Sequence, residues 1–125
     1  MSVVVDSSGW IEHFLDSEQA DFFAPALADS ADLIVPALSL YEVHKRLSRG
    51  LPDDVVQDCL NVMRRGTVID ITDARAVHAS QIGQRHKLAL ADSVMYSIAQ
   101  EFGAMLWTQD IDYQGLPGVK FKAKY

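Results

Sequence analysis

The sequence predicts an α/β fold of three layers, with helices on both faces of a central, mostly parallel sheet of four or five strands. Short, continuous apolar runs such as Val3–Val5 are typical of strands that are buried on both faces. Longer segments with helical spacing of apolar residues alternate with these runs, as in a parallel sheet with right-handed crossovers. The 125 residues are 49% hydrophobic and 22% charged, which suits one globular domain spanning residues 1–125.

The first part of the chain predicts two strands and two helices. The β-branched run Val3–Val5 favours a central strand. A short turn then leads into a helix that carries Trp10 on its apolar side. Residues 18–29 predict a second helix, and Leu33–Val35 predict the second strand.

The middle of the chain predicts two further helices and a strand. Pro36 suits the first turn of a helix, which ends at about Arg49, directly before Gly50. Asp53 can cap the next helix with its carboxylate. The β-prone run Thr67–Ile71 follows as the third strand.

The last part of the chain predicts two helices and two strands. The helices are expected over residues 72–86 and 88–102, and Ser93 and Ser97 mark a polar side of the second one. The strands are expected over residues 104–108 and, at the edge of the sheet, 119–121.

Charge and cysteine content limit the class of protein. A net charge of −6 argues against general electrostatic binding of nucleic acid, although a nuclease with a cation in a carboxylate site remains compatible with it. The single cysteine excludes an internal disulfide and favours a reducing compartment. The first ten residues lack the pattern of a signal peptide, and no apolar run reaches the roughly 18 residues of a membrane helix. We therefore expect a cytoplasmic protein.

Four isolated acidic residues stand at or just past the boundaries of apolar segments: Asp6, Glu42, Asp92 and Asp110. Asp6 ends the first predicted strand and Asp110 follows the fourth. In a parallel α/β sheet the ligand site lies beyond the carboxyl ends of the strands, where these residues would converge. Crowded carboxylates repel one another, so the cluster predicts a bound cation, and hard oxygen ligands favour Mg²⁺ or Mn²⁺.

Each acid also has an ordinary structural explanation. Asp6 could simply cap a helix. Glu42 precedes Lys45 and Arg46 by three and four residues, the spacing of a surface ion pair on a helix. Asp92 is the better candidate, because it shares a helix face with apolar residues and needs a partner there.

Several polar residues near these acids could assist. Ser7, Ser8 and Thr108 could donate hydrogen bonds to a water or to a phosphate, and Asp112 could join Asp110 or cap its loop. Such a site fits hydrolysis of a phosphodiester: a cation lowers the pKa of a water and neutralises phosphate charge, while a carboxylate acts as general base. We take Asp6, Asp92 and Asp110 as the metal ligands and Glu42 as a fourth catalytic acid.

Basic residues fall in two groups, one within residues 45–65 and one within residues 75–87. A solvated helix face is the ordinary explanation for most of them. We take Arg46, Arg85 and Lys87 as the candidates for contact with a substrate phosphate.

The chain resembles the PIN-domain ribonucleases, and most closely the VapC toxins of type II toxin–antitoxin systems. The resemblance runs from near the start of the chain to its end, and it depends on the order Asp, Glu, Asp, Asp and on the Thr-x-Asp that ends at Asp110. The matching stretches are VVVDSSGWIEHF, IVPALSLYEVHKRL, HKLALADSVMYSIAQEFGAMLWTQD and IDYQGLPGVKF.

This resemblance implies a three-layer α/β/α fold, dependence on Mg²⁺ or Mn²⁺, cleavage of single-stranded RNA and inhibition by a small VapB-type antitoxin. A homodimer through the helices of residues 37–65 is also expected. The sequence departs from the family pattern at Tyr113, where a Phe is common.

Three other classes use related features. A receiver-like phosphoacceptor domain needs an acidic pair after the first strand, but Asp6 stands alone there. A haloacid-dehalogenase-type phosphatase needs Asp-x-Asp, where this chain reads Asp6-Ser7-Ser8. A catalytically silent module of the same fold, which binds a metal or another protein, is the third class, and titration with Mn²⁺ would separate it from the nuclease if no metal binds.

Overall fold

The computed structural model describes residues 1–124 and, within them, five strands, six α-helices and two 3₁₀ helices. The strands are β1 (Val3–Val5), β2 (Ile34–Pro36), β3 (Thr67–Ile69), β4 (Met105–Thr108) and β5 (Val119–Phe121). The α-helices are α1 (Ser7–Phe14), α2 (Ala20–Leu27), α3 (Ala37–Leu47), α4 (Asp53–Met63), α5 (Asp73–His86) and α6 (Leu90–Glu101). The 3₁₀ helices are Ser30–Asp32 and Ile111–Tyr113. None of the helices within this range has the length and apolarity needed to cross a membrane.

All strand pairs are parallel, and the spatial order is β3-β2-β1-β4-β5. Hydrogen bonds join β1 to β4, β4 to β5 and β2 to β3. A single parallel bridge between Val3 and Leu33 links the two ladders. The strand order reverses between β1 and β4, because β2 and β3 lie on one side of β1 whereas β4 and β5 lie on the other. The predicted parallel sheet is confirmed.

The strands alternate their side chains between two helical layers, as the pleat requires. Val3 and Val5 of β1 pack with α1, α2, α3 and α4 on one face, whereas Val4 packs with α5 and α6 on the other. In β4, Trp107 joins the first layer and Leu106 the second. Helices therefore cover both faces of the sheet, which is the three-layer arrangement predicted from the sequence.

The helix α6 differs from its sequence prediction in two ways. It begins at Leu90 rather than residue 88, because Lys87 takes a left-handed conformation with φ +57° and ends α5. Ser93 and Ser97 are also buried rather than on a solvated side. Ser93 faces α5 where a Cβ on Gly83 would touch its hydroxyl, and that hydroxyl donates to the carbonyl oxygen of Ala89 at 2.7 Å.

Candidate active site

The candidate site lies at the carboxyl ends of β1 and β4, where the strand order reverses. Asp6 follows β1 directly, and Asp110 lies two residues beyond β4. These two strands are hydrogen-bonded neighbours, so both acids emerge at the same edge of the sheet. In open α/β sheets this switch point is where a crevice for ligands opens.

Asp6 is buried, with 7% of its surface exposed, and it is the N-cap of α1. Its Oδ1 accepts a 2.8 Å hydrogen bond from the Ser7 backbone N–H. Its Oδ2 accepts from the hydroxyls of Thr108 at 2.9 Å and Ser8 at 3.4 Å. The carboxylate thus has donors on both oxygens, which holds its orientation.

Thr108 connects Asp6 to the loop after β4. Its buried hydroxyl donates to Asp6 and accepts a 2.9 Å bond from the backbone N–H of Asp110. Asp110 in turn caps the 3₁₀ helix Ile111–Tyr113, because its Oδ1 accepts from the N–H of Asp112 at 2.9 Å. This chain of bonds fixes the relative positions of three acidic residues.

Asp92 lies in the first turn of α6 and is half-buried. The hydroxyl of Tyr113 donates to its Oδ1 at 3.2 Å and to its backbone carbonyl oxygen at 3.1 Å. The side chain of Asp92 is therefore tied to the same loop that carries Asp110 and Asp112.

Glu42 reaches the site from α3. It accepts a 2.7 Å hydrogen bond from the Ser7 hydroxyl, which joins α3 to the start of α1. Lys45, one of its two possible ion-pair partners in the sequence, instead lies over the ring of Tyr41, 5.7 Å from the ring centroid. Arg46, the other, lines the same cleft as Glu42.

These residues enclose one cleft of about 470 Å³. All four acids predicted from the sequence line it. The lining residues are Asp6, Ser7, Ser8, Ile11, Glu42, Arg46, Asp92, Gln109, Asp110 and Lys124. Arg46 and Lys124 are the basic residues among them, so this acidic cleft also has cationic groups.

Burial and mutual repulsion shift the ionisation of two of the acids. Burial, assisted by the charges of Asp92 and Asp110, raises the pKa of Asp6 to about 7 despite the opposing hydrogen bonds. Burial and the charge of Asp110 raise the pKa of Asp92 to about 6. Burial also raises the pKa of the Tyr113 hydroxyl well above its usual value, so this group remains a hydrogen-bond donor at neutral pH.

Three carboxylates are close enough to share a cation. One oxygen each from Asp92, Asp110 and Asp112 lies within 4.8 Å of the others. Carboxylate oxygens are the ligands that Mg²⁺ and Mn²⁺ prefer, so this donor set fits such an ion. Asp112 belongs to this group, whereas Asp6, which the sequence predicted as a ligand, does not. The assignment of Asp6 as a metal ligand stays a prediction.

The predicted substrate contacts divide into two kinds. Arg46 lines the cleft. Arg85 and Lys87 are exposed at the end of α5 and are not among the residues that line it. Their assignment to substrate binding stays a prediction.

A buried carboxylate beside the cleft, Glu12, has no counterpart in the sequence prediction. It is 4% exposed and accepts from Lys124 Nζ at 3.4 Å, from Gln109 Nε2 at 3.5 Å and from the Gln19 N–H at 3.3 Å. The Gln19 side chain donates to the carbonyl oxygen of Ala123 at 3.1 Å. This network holds Lys124 against α1 and brings it to the cleft. Its members are scattered along the sequence, so no local pattern could have revealed it.

The family model of the PIN domain matches residues 3–119 of this chain. The chain belongs to the PIN-domain family. The matched range contains all four acids, from Asp6 to Asp110. The resemblance stated from the sequence is confirmed. No protein with a curated description matches the chain.

Solved structures of toxin–antitoxin proteins share this PIN fold. A toxin–antitoxin complex from Klebsiella pneumoniae superposes with a TM-score of 0.81 at 22% identity, over 95% of this chain and 96% of that one. DNA-bound VapBC from Salmonella typhimurium gives 0.75 at 15% identity, over 98% of each chain. VapC20 from Mycobacterium tuberculosis, described as a toxin that cleaves the sarcin–ricin loop, gives 0.75 at 16% identity, over 93% of this chain and 95% of that one.

Proposed function

We propose that this PIN-domain protein is an endoribonuclease toxin that needs Mg²⁺ or Mn²⁺ and is held inactive by a small VapB-type antitoxin. The observation that carries the proposal is that Asp6, Glu42, Asp92 and Asp110 line one cleft at the switch point of the sheet. Solved structures of similar fold are described as toxin–antitoxin proteins, and one is described as a toxin that cleaves the sarcin–ricin loop. These descriptions agree with the chemistry that the cleft can support.

The cation would be held by Asp92, Asp110 and Asp112, whose oxygens lie within 4.8 Å of one another. When bound, it supplies a Lewis acid that lowers the pKa of a water and neutralises charge on the phosphate. Asp6 lines the same cleft as this group, and its charge would support the cation. Glu42 orients the start of α1 through its bond with Ser7.

The substrate phosphates would be held by the two basic residues of the cleft. Arg46 lies on α3, and Lys124 is held near the cleft by its ion pair with Glu12. Because the chain carries a net charge of −6, general attraction to RNA is weak and binding depends on such local contacts. In hydrolysis, a water oxygen bonds to phosphorus and the phosphorus–oxygen bond of the backbone breaks. A carboxylate of the cleft takes the water proton, and the leaving sugar oxygen takes a proton from solvent.

The partner proposal rests on the same open cleft. An antitoxin segment lying along α3 and α4 could place an Arg or Lys among the carboxylates and satisfy them in place of the cation. We also propose a homodimer through the helices of residues 37–65, as stated from the sequence. Its test is the mass of the purified protein in solution by light scattering.

A cleavage assay tests the enzymatic part. Purified protein should cut labelled single-stranded RNA in Mg²⁺ or Mn²⁺, leave a DNA of the same sequence intact, and lose activity in EDTA. An Asp92→Asn variant should be inactive, whereas Asp21→Asn, which changes an exposed acid on α2, should match the wild type. Cleavage that persists in EDTA would rule out the cation mechanism.

A growth experiment tests the toxin part. Induction of the wild-type chain in a bacterium should arrest growth, and coexpression of a small partner encoded beside it should restore growth. The Asp6→Asn variant, induced from the same vector to the same protein level, should be harmless. If the two proteins are equally harmless or equally toxic, the toxin assignment is wrong even though the fold is right.

A further inference from the structure

We infer that Tyr113 is a positioning residue for the cation site, because its hydroxyl holds the Asp92 carboxylate in the orientation that the site needs. The inference rests on the proposed function and adds a residue to it. The hydroxyl donates to Asp92 Oδ1 at 3.2 Å and to the Asp92 carbonyl oxygen at 3.1 Å. Tyr113 touches no reacting atom, so its effect would act entirely through Asp92.

Tyr113 has a rigid anchor from which to act. It is 0% exposed and belongs to the buried cluster that includes Val4, Leu106 and Tyr96. Its ring lies 6.4 Å from that of Tyr96, measured between centroids. A side chain packed in this way cannot move its hydroxyl far without disturbing the core.

The cation site combines residues from two separate elements. Asp110 and Asp112 come from the loop after β4, whereas Asp92 comes from α6. Asp110 fixes the loop by capping the 3₁₀ helix that contains Tyr113. The hydrogen bond from the Tyr113 hydroxyl therefore ties the carboxylate of Asp92 to the loop that carries Asp110 and Asp112.

Repulsion makes this tie necessary. Burial and the charges of Asp110, Asp112 and Glu42 raise the pKa of Asp92, whereas the hydrogen bond from Tyr113 lowers it. Without the hydroxyl, the Asp92 side chain could rotate away from the neighbouring acids. It would then no longer lie where the three carboxylates can share a cation. Partners that orient a metal ligand typically affect metal affinity by about 10- to 100-fold.

A purely structural role is the alternative explanation, since a buried tyrosine hydroxyl usually finds some partner. The chain offers a matched control in Tyr96, which is 1% exposed and lies in the same cluster. Its hydroxyl donates to the Pro117 carbonyl oxygen at 2.7 Å, away from the acids. Tyr96→Phe and Tyr113→Phe each remove one buried hydroxyl and keep the ring.

The test measures the dissociation constant of Mn²⁺ by calorimetry in the wild type, Tyr113→Phe and Tyr96→Phe. Urea unfolding of the metal-free proteins checks that each variant folds. We expect Tyr113→Phe to bind Mn²⁺ about tenfold more weakly and Tyr96→Phe to bind like the wild type. RNA cleavage by Tyr113→Phe should then recover at high Mn²⁺ concentration.

The outcomes separate this inference from the proposed function. Equal Mn²⁺ affinities in the wild type and Tyr113→Phe would overturn the positioning role, and so would equal losses in both tyrosine variants. A wild-type chain that binds no Mn²⁺ would overturn the inference and the cation mechanism together. If the expected difference in affinity appears but the wild type cuts no RNA, the inference holds and the nuclease assignment fails.

Discussion

The Thr108 hydroxyl donates a 2.9 Å hydrogen bond to Oδ2 of Asp6, and this bond joins the ends of two adjacent parallel strands. The same hydroxyl accepts from the Asp110 N–H at 2.9 Å. One buried oxygen therefore positions an acid from β1 and an acid from the loop after β4. The geometry of the candidate site depends on this group as much as on the carboxylates.

Thr108→Val should weaken both the fold and the site. Valine keeps the β-branched shape but leaves the Asp110 N–H without its acceptor and removes a donor from Asp6. Loss of a buried hydrogen-bond partner typically costs about 1–3 kcal/mol of unfolding free energy. Urea unfolding measures this loss, and the control is Thr67→Val at an exposed position of β3. Equal stability of the two variants would contradict the role of the Thr108 hydroxyl.

The metal-free protein should become less stable as pH rises toward neutrality. The folded-state pKa of Asp6 is about 7, above its usual 3.8, and that of Asp92 is about 6. Between the usual and the raised pKa the folded chain holds protons that the unfolded chain has released, so stability falls with pH. The slope is at most about 1.4 kcal/mol per pH unit for each carboxylate.

Urea unfolding in EDTA across this pH range measures the effect. Asp6→Asn should flatten the slope, because the variant cannot ionise at that position. If the stability of the wild type instead rises steadily through the same pH range, the pKa values of these carboxylates are not raised in the folded state.

Mn²⁺ should stabilise the wild-type fold. A ligand that binds only the native state adds about 2.7 kcal/mol at 100 times its dissociation constant. The melting temperature in millimolar Mn²⁺ should therefore exceed that in EDTA. The difference should vanish in an Asp92→Asn, Asp110→Asn double variant and persist in Asp21→Asn, an exposed position of α2. Equal melting temperatures for the wild type would argue against a shared cation site.

Glu12→Gln should release Lys124 from α1. Burial acts to raise the pKa of Glu12, but the hydrogen bonds and the ion pair with Lys124 together outweigh it and hold this pKa below its usual 4.5. A lowered pKa gives stability that is present above the usual pKa and is lost as pH falls through the folded value. Hydrogen bonds to charged groups contribute about 1.5–3 kcal/mol, so we expect a loss of that order at neutral pH.

The size of this loss should shrink in acid, where Glu12 is itself neutral. Urea unfolding at neutral and acidic pH measures both values, with Glu18→Gln as the exposed control. A loss that is independent of pH would mean that the charge of Glu12 does not hold the network together.

Much of the fold and part of the site follow from the sequence. Hydrophobic runs and helix-ending residues predicted the strands and helices because each is a local signal. Asp6 and Asp110 could be predicted to converge, because each follows a strand of a parallel sheet and the carboxyl ends of such strands share an edge. Glu42 and Asp92 also line the cleft, as predicted from the placement of all four acids at the boundaries of apolar segments.

The remaining features depend on contacts between distant residues. Nothing near Lys124 in the sequence indicates that Glu12 brings it to the cleft. Ser93 and Ser97 look like a polar helix side, but small side chains also allow close packing of α5 on α6. In the sequence, Tyr113 in place of Phe looks like a conservative change. The structure shows that its added hydroxyl donates a hydrogen bond to Asp92.

The rate of RNA cleavage by Asp6→Asn is the most direct test of the account. Asparagine keeps the shape of the buried side chain but removes the charge that supports the cation. At a Mn²⁺ concentration that saturates the wild type, and with equal folded protein verified by circular dichroism, the wild type should cut RNA and the variant should cut none. Wild-type cleavage rates from a folded Asp6→Asn protein would contradict the claim that this carboxylate cleft is the active site.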